Sequence, residues 1–69
     1  MSDASGTLAG QVGYVSVSIP VDGPGEVMIS VRGGTEAFAA WSDEAIEKYA
    51  RVVVLEDRSG RSVTVTRVP

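Results

Sequence analysis

The chain contains no histidine and no cysteine. Histidine is the side chain whose charge ordinarily changes near neutral pH, and both residue types are common zinc ligands. Their absence excludes disulfides, thiolate and imidazole metal sites, and the usual base that activates a serine nucleophile. Lys48 is the only lysine, and no Ser-x-x-Lys spacing leads to it. The sequence therefore predicts no catalytic residue, no metal site and no cofactor.

Positive charge and long apolar runs are also scarce. Nine acidic and six basic residues give a formal net charge of −3, so phosphate backbones and anionic membrane surfaces are repelled at long range unless the few arginines cluster on one face. No stretch approaches the roughly 20 apolar residues of a membrane-spanning helix, and the N-terminus lacks the pattern of a secretory signal. We expect a flexible lead-in over residues 1–7 and one folded domain over residues 8–69.

Two acidic pairs, Asp43-Glu44 and Glu56-Asp57, are the remaining candidates for acid–base chemistry or calcium binding. Catalytic carboxylates need environments that push their pKa values apart, whereas adjacent residues in exposed turns point in different directions. The spacing of a calcium-binding loop is absent. We interpret both pairs as solvated charges.

The sequence does contain five short strand-like stretches, separated by turn residues. The predicted strands are Gln11 to Ile19, Glu26 to Arg32, Thr35 to Ala40, Arg51 to Glu56 and Arg61 to Val68. Most of them alternate apolar and polar residues, whereas the fourth has an unbroken apolar run. Such a run is typical of a strand that is covered on both faces.

Glycines mark the predicted turns and one predicted bend. Asp22 to Gly25 is a dense turn signal before the second strand. The pair Gly33-Gly34 predicts a tight hairpin, because both residues can adopt positive φ. Gly13 is the candidate for a bend in the long first strand.

A short helical segment is predicted between the third and fourth strands. Ser42 is a suitable N-cap, and Asp43 and Glu44 follow it in the first turn, where the helix dipole favours negative charge. The segment is short, so we expect one or two turns and not a long helix.

These elements predict an all-β fold. No connection is long enough for a parallel crossover helix, so the strands must be largely antiparallel. Five strands with one helical interruption after the third match the Greek-key barrel of the OB-fold, and an SH3-like barrel is the structural alternative. The side chains predicted to face inward are Val15, Val17, Ile19, Val27, Ile29, Val31, Phe38, Val52, Val54, Val63 and Val65.

Several short motifs occur in an order that is found in a known family. Residues 8–13 follow the pattern Leu-x-Gly-x-x-Gly, and the turn from Pro20 to Gly25 leads into a Val-Met-Ile strand. Residues 46–48 begin an Ile-x-x-Gly segment in which Tyr49 stands in place of the glycine. With the valine-rich final hairpin, these features make the chain resemble the soluble C-terminal domain of NfeD-like membrane proteins from Leu8 to Val68.

The resemblance implies an OB-fold domain of a parent protein in the bacterial inner membrane, with this domain soluble on the cytoplasmic side. Such parents are typically encoded beside stomatin- or flotillin-like scaffold proteins. The implied function is a non-enzymatic protein-interaction module that acts with such a scaffold and has no small-molecule substrate.

Trp41, Tyr14 and Arg32 are the candidate partner-binding residues. A partly exposed Trp at a strand end is a typical interaction hot spot, although core packing explains it equally well. The same three residues and Phe38 would serve the alternative function, an OB-fold that binds single-stranded nucleic acid. The net charge argues against that alternative, because attraction to phosphate dominates non-specific affinity.

Overall fold

A computed structural model of the protein describes residues 8–69, and the predicted lead-in over residues 1–7 lies outside the described residues. The strands are β1 Val12–Val17, β2 Gly25–Val31, β3 Gly34–Trp41, β4 Arg51–Arg58 and β5 Ser62–Arg67. They form a closed barrel in the order β1-β2-β3-β5-β4. The predicted all-β, five-stranded OB-fold-like barrel is therefore confirmed.

The strand contacts differ in direction and length. Four of them are antiparallel and the contact of β3 with β5 is parallel, which needs no crossover helix because β4 separates these strands in the chain. The β2–β3 contact pairs every residue of β2, whereas β5 pairs only with residues 39–41 of β3. The first half of β3 thus has a strand neighbour on one side only.

The barrel interior is filled by apolar side chains. All the side chains predicted to face inward are buried there except Val17 and Val31, and no polar or charged residue is buried within residues 8–69. The buried set is Val15, Ile19, Val27, Ile29, Phe38, Ala40, Ile46, Val52, Val54, Val63 and Val65.

A β-bulge explains why the prediction for Val17 is wrong. Val15 pairs with Val27, whereas Val17 pairs with Glu26, so β1 carries one extra residue at this point. A bulge of this kind interrupts the alternation of inward and outward side chains, and Val17 is 52% exposed. Val31 lies at the end of β2, is partly buried and packs against the edge of the core.

The prediction that β4 is covered on both faces is also wrong. Val52 and Val54 are buried and Val53 is half-buried, but Leu55 is 57% exposed. A second register irregularity lies between Val54 and Glu56. The apolar run therefore crosses a bulge and leaves its last residue on the outer surface.

Position 13 requires glycine because the backbone of β2 approaches it closely, and not because β1 bends there. A Cβ atom at this position would lie 2.2 Å from the carbonyl oxygen of Met28. Gly13 pairs with Ile29 on one side and with Val52 on the other, so it is clamped between β2 and β4. The irregularity of β1 lies after Val15, so the predicted bend at Gly13 is misplaced.

The predicted helical turn after β3 is not formed. Residues 42–50 contain a bend, an isolated bridge and a turn at Lys48-Tyr49, and no helix. The N–H of Glu44 donates to Ser42 Oγ at 3.3 Å, so the cap is present without a helix to follow it. The reason is Ile46, whose backbone exchanges two hydrogen bonds with that of Ile19, each 2.9 Å long. These bonds occupy the groups that a helix would need.

The hairpin between β2 and β3 turns one residue earlier than predicted. Val31 and Gly34 are the closing pair, and the two residues between them, Arg32 and Gly33, have φ angles of 47° and 79°. Two central residues with positive φ define a type I′ turn, which suits the twist of a β-hairpin. The turn is therefore Arg32-Gly33, and Gly34 begins β3.

Candidate functional site

The two ends of the barrel carry different surfaces. The closed end is the end at which the Ile19–Ile46 bridge joins the β1–β2 and β3–β4 connections. The open end is the end at which the β2–β3 turn, the β4–β5 turn and Leu8 lie. Each end has a shallow depression, of about 550 Å³ at the closed end and about 620 Å³ at the open end. They differ in charge, because only the open-end depression is lined by arginines.

We call this second depression the open-end groove. Its base is Phe38, the last buried side chain of the barrel at this end. Its charged lining consists of Arg32, Glu36, Asp57, Arg58 and Arg61. These residues come from two hairpins that are far apart in sequence, and the antiparallel barrel brings both turns to the same end.

An ion pair covers the base of the open-end groove. Arg61 Nη1 lies 2.9 Å from Glu36 Oε1, and the Arg61 guanidinium lies 5.5 Å from the centroid of the Phe38 ring. Both charged side chains are about half exposed or more, so the pair adds little stability. Its effect is to hold a cation over the aromatic ring and to shield that ring from solvent.

The other charges of the groove are unequally satisfied. Asp57 accepts a hydrogen bond from the N–H of Leu8 at 3.0 Å. Arg58 stacks on Trp41 with its guanidinium 5.1 Å from the ring centroid. Within residues 8–69, the guanidinium groups of Arg58 and Arg32 make no hydrogen bond or ion pair, so their N–H donors face solvent. The groove therefore has unused donors next to two carboxylates that already have partners.

The edge of β3 beside this groove, next to the lining residues Glu36 and Phe38, is also unsatisfied. The closing pair Val31–Gly34 fixes the even-numbered residues of β3 as those that bond to β2. The odd-numbered residues face the other way, as the hydrogen bond from Ala39 N to Arg61 O at 3.0 Å shows. Pairing with β5 begins only at Ala39. Within the described chain, the N–H and C=O groups of Thr35 and Ala37 therefore have no strand partner.

Of the three predicted partner-binding residues, only Arg32 lines the open-end groove. Arg32 is in the turn that precedes β3 and lines the open-end groove. Trp41 is the last residue of β3, and the length of β3, roughly 23 Å at the usual rise per residue, separates it from the turn. Arg58 partly covers the Trp41 ring. Tyr14 lies on β1, is 44% exposed and pairs with Met28. The structure does not bring the three together.

Sequence reasoning missed Arg58 and Arg61. The signal was available, because both residues flank the turn of the last predicted hairpin. In an antiparallel barrel, the β2–β3 and β4–β5 turns must lie at the same end. The position of Arg58 and Arg61 near Arg32 could therefore have been predicted without knowledge of the strand register.

A second ion pair ties the closed end together. Arg67 donates two parallel hydrogen bonds to Glu47, one of them from Nη1 to Oε2 at 3.0 Å. The bonds from Arg67, followed by a backbone hydrogen bond at Glu47, lower the pKa of the carboxyl from its ordinary value of 4.5 to about 2. The same contact raises the pKa of Arg67. It links the end of β5 to the segment that contains Ile46.

Residues 8–69 contain neither an acidic cluster suited to a metal ion nor a helix suited to a membrane crossing. No group of three or more acidic side chains is close enough together to hold a metal ion. No helix there has the length and apolarity that a membrane crossing requires.

Known proteins are similar to this chain in sequence and in fold. Residues 12–66 match the family described as the NfeD C-terminal domain. The solution structure of the soluble domain of the NfeD protein YuaF from Bacillus subtilis is similar with a TM-score of 0.75 and 37% identity, over 87% of this chain and 73% of that one. The C-terminal domain of stomatin operon partner protein 1510-C from Pyrococcus horikoshii is similar with a TM-score of 0.69 and 26% identity, over 90% and 89%.

A comparison with curated proteins found no match. The family match nevertheless covers most of the chain, and the two solved structures agree with it. The resemblance inferred from the sequence is therefore confirmed, and the chain belongs to the NfeD C-terminal domain family.

Proposed function

We propose that this chain is a non-enzymatic protein-interaction module. It is the soluble, cytoplasmic domain of an NfeD-like protein of the bacterial inner membrane and acts with a stomatin- or flotillin-like scaffold protein. Membership of the family supports the first part of the proposal. The name of the relative from Pyrococcus horikoshii, a stomatin operon partner protein, supports the second part.

The filled barrel interior is the observation that carries the proposal. Every buried side chain within residues 8–69 is apolar. Enzyme sites usually combine a deep pocket with convergent polar groups whose pKa values are shifted. Here the groups that can recognise another molecule lie on the outer surface and at the rims, which suits contact with a protein.

Binding of single-stranded nucleic acid is less well supported. Such a site needs aromatic side chains that stack on successive bases along a basic groove. Phe38 is the only aromatic residue that lines the open-end groove, and it is 8% exposed beneath Arg61. Tyr14 and Trp41 do not line this groove, so the groove does not offer several aromatic rings for stacking.

The experiment is a titration of the isotopically labelled 69-residue chain with the purified soluble region of the stomatin- or flotillin-like protein encoded beside its gene. We expect saturable shifts of surface amides in NMR spectra and no shifts from a single-stranded oligonucleotide at the same salt concentration. Absence of saturable binding at both low and physiological salt would contradict the proposed function.

A further inference from the structure

We propose that the edge of β3 beside the open-end groove binds an extended acidic segment of a partner protein, which joins the barrel as an additional strand. This inference rests on the proposed function, because it names the surface and the partner chemistry of the same interaction module. It draws on two independent features, which are the backbone groups of β3 without a strand partner and the guanidinium N–H groups of Arg32 and Arg58 without a hydrogen-bond acceptor in residues 8–69.

The backbone of β3 supplies the first feature. Thr35 and Ala37 each present an N–H and a C=O to the gap between β3 and the β4–β5 turn, where no other strand lies within the described chain. An extended peptide can fill such a gap and pair with these groups, as in other complexes formed by strand addition. All residues from Gly34 to Ala37 are exposed, and the side chains of Thr35 and Ala37 are small. The side chains of Thr35 and Ala37 therefore do not block an incoming strand.

Charge supplies the second feature and selects the partner. Arg32, Arg58 and Arg61 line the groove of a chain whose net charge is −3. The two carboxylates among them already accept hydrogen bonds, from Arg61 and from the N–H of Leu8. Carboxylates on an incoming strand would accept hydrogen bonds from the unused guanidinium N–H groups. Charge-assisted hydrogen bonds of this kind are stronger than neutral ones.

The charged side chains and the unpaired backbone groups disfavour two other ligands, an apolar strand and a nucleic acid. An apolar strand would bury the Arg61–Glu36 pair without replacing its contacts with water, which is costly. A charged residue beside an unpaired edge is a common protection against unspecific strand pairing. A nucleic acid would offer phosphates to the arginines but nothing to the N–H and C=O groups of Thr35 and Ala37.

The test begins with three synthetic peptides of about eight residues, a length that spans a typical strand. In the first, valine alternates with glutamate. In the second, lysine replaces each glutamate. The third repeats the acidic sequence with N-methyl groups on alternate amides, which removes the donors on one edge. We expect the acidic peptide to shift the amides of Thr35 and Ala37 saturably, and the other two to bind at least about tenfold more weakly.

Two variants of the 69-residue chain locate the site. Ala37→Pro removes the N–H that faces the gap and leaves the bonds to β2 intact, so the barrel should still fold. We expect it to weaken binding of the acidic peptide about tenfold.

Arg32→Asn removes one cation and places a favoured residue in the type I′ turn. We expect it to weaken the peptide about threefold. Arg51→Gln, on the outer surface of β4, is the matched charge control and should bind as the unchanged chain does.

Three results would overturn the inference. They are equal binding of the acidic and lysine peptides, unchanged binding by Ala37→Pro and Arg32→Asn, and tighter binding of an oligonucleotide than of the acidic peptide at the same amides. If the scaffold protein binds both variants as well as the unchanged chain, the proposed function stands and this inference fails. If the acidic peptide binds as expected and no scaffold binds, the surface is correct and the proposed function fails.

Discussion

The two ends of this small barrel cover the apolar core in different ways. At the closed end, Ile19 and Ile46 seal the core with buried side chains and satisfy each other's backbone groups. At the open end, Phe38 seals the core beneath an exposed ion pair, and part of the edge of β3 stays unpaired. One end therefore contributes mainly to stability, whereas the other retains groups that can bind a partner.

This division follows from the lengths of the strand contacts. The barrel has a continuous β2–β3 hairpin but closes through a parallel contact of residues 39–41 with β5. A longer β3–β5 contact would satisfy Thr35 and Ala37 and abolish the groove. Regions that bind partners commonly keep exposed hydrogen-bonding groups and few buried contacts, at the expense of local stability.

The largest expected effect is the loss of Ile46 from the closed end. Ile46→Ala removes a side chain that is 1% exposed and leaves a cavity, so we expect a loss of about 2–5 kcal/mol in the free energy of unfolding. A domain of this size holds only about 3–5 kcal/mol in total, so the variant should be largely unfolded. Val31→Ala, at the partly buried open end, is the matched control and should cost less than about 1.5 kcal/mol. Equal losses in urea denaturation would erase the proposed difference between the ends.

The next effect is a steric one near the closed end. A Cβ atom on Gly25 would lie 2.4 Å from the carbonyl oxygen of Val17 and 2.5 Å from that of Ser18. Backbone atoms cannot rotate away, so Gly25→Ala should cost about 1–3 kcal/mol, measured by thermal unfolding. Gly23→Ala meets only the ring of Pro20 at 3.5 Å and serves as the control. A Gly25→Ala variant as stable as the control would show that the strands can separate freely there.

A smaller effect tests the turn at the open end. Gly33 has a φ of 79° with open space around it, so Gly33→Ala should cost about 1–2 kcal/mol through backbone strain alone. Gly34 begins β3, and a Cβ there meets only Val31 O at 3.9 Å, so Gly34→Ala should be nearly neutral. If chemical denaturation gives equal costs for the two variants, both glycines have positive φ and the turn residues are Gly33-Gly34.

The smallest effect is the pH dependence of the closed end. Glu47 has a pKa of about 2 in the folded chain, below its ordinary value of 4.5. Its contact with Arg67 therefore contributes stability that is fully present above about pH 4.5 and is lost as the pH falls through 2. The difference in melting temperature between the unchanged chain and Arg67→Gln should be constant above pH 4.5 and shrink below it. A difference that persists down to pH 2 would show that Arg67 acts through packing and not through the carboxylate.

Alternation and turn residues predicted much of this fold. The strands were located to within a few residues, because Val27 and Ile29, or Val63 and Val65, alternate with residues that stay outside the core. Phe38 was placed in the core correctly, although its strand is weak by propensity. These patterns are local, so they can be recognised in the sequence without knowledge of the partner strands.

The errors arose where neighbouring strands decide the outcome. The bulge that exposes Val17 depends on its register with β2, which the sequence of β1 does not contain. Ile46 was assigned to a helical turn because Ser42 resembles a cap, yet its bridge to Ile19 is a long-range contact. The open-end groove likewise depends on which turns share an end and on how far β3 pairs with β5.

Hydrogen exchange of the β3 amides, followed by NMR on a dilute sample of the chain alone, tests the central claim most directly. The account predicts alternating protection along one strand. The amides of Thr35 and Ala37 should exchange about 100-fold faster than those of Glu36 and Phe38, which bond to β2, whereas Ala39 should be protected by its bond to Arg61. Equal protection of all five amides would mean that the edge is already paired, and the open end would then have no place for a partner strand.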